Sequence, residues 1–119
     1  MSSMSIGNPV GVHLLVNVYQ VPDKGRLEFL SRGRYLLDEI VRELHLTVVS
    51  QTGHQFTPFG YSYAYVLSES HFTIHTYPEH NSCYIDVFCC NSEFSPARAV
   101  QIIQRVFETE QVRYQVIQR

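Results

Sequence analysis

The chain has 119 residues, of which 45% are hydrophobic, 17% charged and 13% aromatic, and its formal net charge is −2. That length suits one domain with one core, that composition excludes a disordered chain, and no apolar run is long enough to span a membrane. Near-neutral charge with scattered Lys and Arg lacks the basic footprint of a nucleic-acid binder, and no leader pattern opens the chain. Three cysteines, two of them adjacent at Cys89-Cys90, fit a reducing, cytoplasmic setting better than a disulfide framework.

The first nine residues are small and polar and read as a loose tail. From Val12 the pattern alternates: Val12, Leu14, Val16 and Val18 point one way, His13, Leu15, Asn17 and Tyr19 the other, which predicts a strand with one firmly apolar face. Pro22-Asp23-Lys24-Gly25 ends it as a turn. Leu27, Leu30, Leu37, Val41 and Leu44 then recur at helical spacing. Gly33 among them costs about 1 kcal/mol relative to alanine and is the weak point of one unbroken helix.

Leu46–Gln51 and Tyr61–Leu67 read as strands separated by a loop with Gly53, Pro58 and Gly60. Phe72, Ile74 and Thr76 alternate with His71, Thr73, His75 and Tyr77 in a strand that Pro78 stops; Cys83, Ile85, Val87 and Cys89 alternate with Tyr84, Asp86, Phe88 and Cys90 in the next. A second helix opens with Ser95 as N-cap and Pro96 at its first position, and carries a stripe of Ala99, Val100, Ile103, Val106 and Phe107. Val112–Ile117 is a final short strand. The order β-α-β-β-β-β-α-β predicts an α+β two-layer sandwich, with two helices on one face of an antiparallel sheet. The other face is too apolar to stay wet across its width, so a second copy is expected to cover it in a homodimer or higher oligomer.

The richest stretch for chemistry is Leu67–Glu79, with a nucleophile candidate in Ser70, base candidates in His71 and His75, and a carboxylate in Glu69. No G-x-S-x-G elbow accompanies Ser70, which argues against a serine-hydrolase triad. No C-x-x-C or H-x-x-x-H spacing appears, so no metal is expected.

That stretch closely resembles the self-processing motif of the small prokaryotic-type S-adenosylmethionine decarboxylases, which read Glu-Ser-His, then Ile-His-Thr, then an aromatic followed by Pro-Glu. Gly11-Val12-His13-Leu14-Leu15 resembles the family's opening Gly-x-His strand, and His54-Gln55-Phe56-Thr57-Pro58-Phe59-Gly60 is similar to its H-x-F-x-P-x-G loop. Ser62 falls eight residues before Ser70, as the family serine does, and Asp86-Val87-Phe88-Cys89-Cys90 is similar to its D-x-F-x-C strand.

The resemblance implies a pyruvoyl enzyme made by self-cleavage between Glu69 and Ser70 into residues 1–69 and 70–119. Ser70 would attack the Glu69 carbonyl and end as the pyruvoyl cofactor, with Ser62 assisting the acyl shift and His75 as the processing base. The substrate, a small amino-acid-type molecule, would form a Schiff base with the pyruvoyl ketone, lose carbon dioxide, and be reprotonated by Cys90. A thiol with an ordinary pKa near 8.5 is protonated at cellular pH, as that role requires. The resemblance also implies a pocket between two protomers, with Phe56 stacking on adenine and Tyr77, Glu79 and His54 as further substrate contacts.

Read as structure, Cys83 and Cys89 belong to the core, His71 to the motif's backbone setting, and Tyr84 and Phe88 to packing, while His13 is a satisfied polar residue or a pocket wall. Because strand parity puts Ser70 and His75 on opposite faces, a bend near Ser70 is expected. Tyr77 replaces the family's usual tryptophan, Asn17 an acidic residue, and Asn91 a glycine. These departures bear on the substrate: S-adenosylmethionine, giving the aminopropyl donor for spermidine, is favoured; L-ornithine or L-arginine is the rival. The third reading is an inactive regulatory homologue.

Overall fold

The computed structural model describes residues 10–119, so the tail expected over the first nine lies outside the described residues. Strand β1 (Val12–Val18) leads into a single-turn helix α1 (Gly25–Glu28) and the longer α2 (Leu30–Glu43). Strands β2 (Val48–Gln55), β3 (Tyr61–Leu67) and β4 (Ser70–Tyr77) follow, then a 3-10 turn at Pro78–His80 and β5 (Ser82–Cys89). Helix α3 (Pro96–Phe107) and β6 (Val112–Gln118) complete the chain. The strands form one antiparallel sheet in the order β2-β3-β4-β5-β1-β6.

Alternation of side chains along each strand sorts the sheet into two faces. Leu14, Val16 and Val18, Phe72 and Ile74, and Cys83, Ile85, Val87 and Cys89 are all buried against the helices. Tyr61, Tyr63, Tyr65 and Leu67 of β3 extend that layer, and it meets Leu37, Ile40 and Val41 of α2 and Ala99, Ile103, Val106 and Phe107 of α3. The architecture is the α+β two-layer sandwich that the element order predicts. Ser95 caps α3 as expected, accepting from the Arg98 N–H at 3.2 Å, with Pro96 at the first helical position.

Two expectations are corrected. The first helical stretch is two helices, and the break falls at Phe29, which is extended (φ −124°, ψ 122°), rather than at Gly33. Gly33 lies buried inside α2 because Tyr61 takes the space of a side chain: a Cβ there would stand 1.9 Å from the Tyr61 hydroxyl oxygen. That hydroxyl donates to the Arg26 carbonyl at 2.7 Å, tying α1 to the sheet. Strand β2 begins later than Leu46 and runs on through Gly53 to Gln55.

The open face carries in-register rows across the central strands. Ser62, His75, Tyr84 and Asn17 form one row, Ala64, Thr73, Asp86 and Leu15 the next, and Val66, His71, Phe88 and His13 the third. His54 stands beside Ser62 at the end of the first row.

Replacing Gly33 with alanine tests the α2–Tyr61 contact. The helix gains about 1 kcal/mol in propensity, but forcing a methyl against a fully buried tyrosine outweighs it. A net loss of about 1–2 kcal/mol is expected in urea unfolding.

Candidate active site

Strands β3 and β4 are joined through Ser68 and Glu69, with Leu67 paired directly to Ser70. Glu69 sits at φ +60°, left-handed backbone that favours glycine and that a glutamate occupies at some cost. β5 runs beside β4, and Phe88 opposite His71 brings Cys90 to this turn. The Cys90 N–H donates to Ser70 Oγ at 3.1 Å, and the Cys90 thiol donates to the Glu69 carbonyl at 3.1 Å. One residue therefore holds both the hydroxyl and the carbonyl that flank the Glu69–Ser70 bond. A donor on that carbonyl withdraws electron density from its carbon, and the N–H on Oγ leaves the hydroxyl proton free to depart. A hollow of about 230 Å³ opens beside the turn, walled by His45–Thr47 and by Cys89–Asn91.

The cysteines divide as the alternation predicts. Cys83 and Cys89 are buried, and burial pushes the Cys83 thiol well above its ordinary pKa. Cys90, just past the end of β5, is partly open.

Ser62 and His75 form a second group. They face each other in register on β3 and β4, and Ser62 Oγ shares a hydrogen bond with His75 Nδ1 at 2.7 Å. Both line a cleft of about 350 Å³ with Phe56, Phe59, Tyr77, Pro78 and Glu79. His54 borders an adjoining hollow with Ser62 and His75, and its ring meets Phe56 edge-to-face with centroids 4.8 Å apart. The suggested substrate contacts Phe56, Tyr77, Glu79 and His54 thus cluster around Ser62 and His75.

The expected bend near Ser70 is absent. β4 is regular from Ser70, so Ser70 and His75 lie on opposite faces and five residues apart, about 16 Å along the strand. Within one chain, Ser70 and Cys90 meet, Ser62 and His75 meet, and the two pairs do not.

A third cluster occupies the open face at the Ser70 end. Asp86 Oδ1 is shared by His13 Nε2, in close contact, and His71 Nε2 at 3.4 Å. His13 is thereby a satisfied polar residue, and His71 is held by a carboxylate as well as by its backbone. Asp86 was not singled out from the sequence, where its only signal is its place in the Asp-x-Phe strand motif. The ligand atoms of His13, His71 and Asp86 lie within 4.8 Å of one another, a spacing that would admit a cation. Arg119 lies 3.1 Å from His13 Nδ1 and can only donate there. Phe88 packs on both histidines and Tyr84 on Tyr19 and Tyr77, as packing residues should. Asn17 donates to the Tyr19 hydroxyl at 3.1 Å.

Among the described residues no helix is long and apolar enough to cross a membrane. A family model described as S-adenosylmethionine decarboxylase matches residues 12–119. The chain belongs to the S-adenosylmethionine decarboxylase family. It is 35% identical over 99 residues to an S-adenosylmethionine decarboxylase proenzyme of Thermodesulfovibrio yellowstonii, covering 83% of this chain and 73% of that protein. It is 32% identical over 110 residues to one of Persephonella marina, covering 92% and 82%. The crystal structure of the adenosylmethionine decarboxylase of Aquifex aeolicus superposes with a TM-score of 0.85 at 30% identity, covering 95% of this chain and 92% of that one. This member of the S-adenosylmethionine decarboxylase family therefore carries its Glu69–Ser70 turn and aromatic cleft on the fold of a decarboxylase family.

Thiol labelling tests the division of cysteines. Iodoacetamide at neutral pH should modify the native protein once, at Cys90, with Cys83 and Cys89 reacting only in denaturant, as read by peptide mass spectrometry.

Proposed function

We propose that the chain is a self-cleaving, pyruvoyl-dependent S-adenosylmethionine decarboxylase. The observation that carries this is the double contact of Cys90 with the Glu69–Ser70 bond, at a residue in strained backbone. In this reading Ser70 Oγ adds to the Glu69 carbonyl carbon and the C–N bond breaks, leaving an ester and a free amine on residue 70. Removal of the Ser70 Cα proton then expels the Glu69 carboxylate, and water releases ammonia from the remaining enamine. The products are residues 1–69 and a 70–119 chain capped by a pyruvoyl group.

The surroundings fit such a group: residue 70 heads a strand, beside an open hollow and next to the Cys90 backbone and thiol. Once formed, the group supplies an electrophilic carbonyl that takes up the substrate amine and accepts the electron pair released with carbon dioxide. Cys90, a thiol donor in hydrogen-bonding reach of this point, returns a proton to the substrate α-carbon.

Ser62 as the processing hydroxyl and His75 as the processing base come from a second copy. The row holding Ser62 and His75 and the row holding His71 and Phe88 flank the Thr73 row equally. A two-fold axis across the strands at Thr73, with open faces together, lays one row over the other and forms an α/β/β/α homodimer. The cleft of Phe56, Phe59, Tyr77 and Glu79 suits S-adenosylmethionine, offering aromatic faces to a flat base and a sulfonium and one carboxylate to a positive charge. The product would be the aminopropyl donor for spermidine, made in the reducing cytoplasm that free thiols suit.

Purified protein should run as two fragments whose masses match cleavage at Glu69/Ser70, while Ser70→Ala stays whole. Of carboxyl-labelled S-adenosylmethionine, ornithine and arginine, only the first should release labelled carbon dioxide. Release from a basic amino acid alone would replace the substrate, and an uncut, inert chain would mean a regulatory homologue. The shared site has its own test. Ser70→Ala and His75→Ala chains, each uncut alone, should on co-expression cleave the His75→Ala chain in mixed dimers. A site within one chain leaves both uncut.

A further inference from the structure

The break between α1 and α2 strands two backbone groups, the Glu28 carbonyl and the Leu30 N–H, which a continuous helix would satisfy within itself. Gln55, at the end of β2, meets both. Its Oε1 accepts from the Leu30 N–H at 2.7 Å, and its Nε2 donates to the Glu28 carbonyl at 2.9 Å. The same Nε2 lies 2.9 Å from the Gly60 carbonyl and 3.0 Å from the Phe56 carbonyl, the two ends of the loop between β2 and β3. Two backbone bonds complete the knot: the Phe56 N–H reaches Gly60 at 2.7 Å, and the Gly60 N–H reaches Glu28 at 2.9 Å. The Phe59 ring then packs edge-to-face on Phe29, with centroids 5.7 Å apart. Phe56 remains 47% exposed, presented rather than buried.

We propose that Gln55 is a positioning residue for substrate recognition: it ties the loop to the helix break so that Phe56 stands ready for a flat purine-type base. This rests on the reading that the aromatic cleft takes S-adenosylmethionine. An exposed aromatic on an untethered loop must be ordered when ligand arrives, and that ordering weakens binding. A tethered one has been ordered by folding. The Gln55 side chain bonds to Leu30, Glu28, Phe56 and Gly60 and to none of Ser62, Ser70, His75 and Cys90, so it takes no direct part in self-cleavage.

Gln55→Leu removes the Oε1 acceptor and both Nε2 donors at similar volume. Gln55→Glu keeps the acceptor for Leu30 and loses the two N–H donors that face the Glu28, Phe56 and Gly60 carbonyls. Both variants should self-cleave like the parent, exchange the Phe56 and Gly60 amide protons faster, and raise KM for S-adenosylmethionine on the order of ten-fold with kcat within about two-fold. Inhibition by methylthioadenosine, which has the base but no amino-acid head, should weaken by the same factor. Unaltered amide exchange, or a fall in kcat with KM and methylthioadenosine inhibition unmoved, overturns the proposal. A parent protein that processes itself but releases no carbon dioxide from S-adenosylmethionine overturns the reading of the cleft, and the recognition role with it.

Discussion

Strand β4 is paired on both sides, and each pairing fixes a different half of the candidate site. Against β3, the tight connection through Ser68 and Glu69 leaves Leu67 facing Ser70, and by simple counting Ser62 must then face His75. Against β5, His71 facing Phe88 carries Cys90 to the Glu69 carbonyl. A slip of one residue in either pairing would turn every side chain to the other face. Phe72, Ile74, Ile85 and Val87 would leave the core for water, and burying each such side chain is worth about 1.5–3 kcal/mol. The site geometry is held by the core under it, not by contacts among the reactive groups.

The same register keeps the two reactive pairs a strand's length apart in a single chain. On the proposed reading, a lone folded protomer holds its nucleophile and its base out of reach of each other, so maturation waits on assembly. The face that would mediate assembly has a mixed character suited to this. Val66, Phe88 and Leu15 give it apolar area, while Asp86 is paired with His13 and His71 rather than left without a partner.

Strands with one buried and one open face were legible because burial writes itself as alternation: β1, β3, β4 and β5 all followed it. β2 was less so. Ser50, Gln51, Thr52 and His54 are exposed on an edge strand, and no periodic burial marks where it begins or ends. The helix break was hidden for a different reason. Leu27, Leu30 and Leu37 keep a helical period across it, and its causes are partners distant in sequence, the Gln55 amide and the Tyr61 hydroxyl. In the site, Ser70 and Cys90 met as their motifs suggested. The grouping of Asp86 with two histidines depended on lateral register across three strands, which a lone carboxylate in a sequence does not announce.

Glu69 holds a torsion angle suited to glycine while keeping a side chain, and only an intact hairpin compels it to do so. Were the bond after it severed, that residue would become a free carboxyl end, at liberty to rotate into the broad basin that ordinary residues occupy. On the proposed route the residue-70 nitrogen departs as ammonia, so no amine is left to re-form the peptide, and the relaxed end would no longer hold the turn. A hairpin that opened this way would behave as a ratchet, passing from one chain to two without an easy road back.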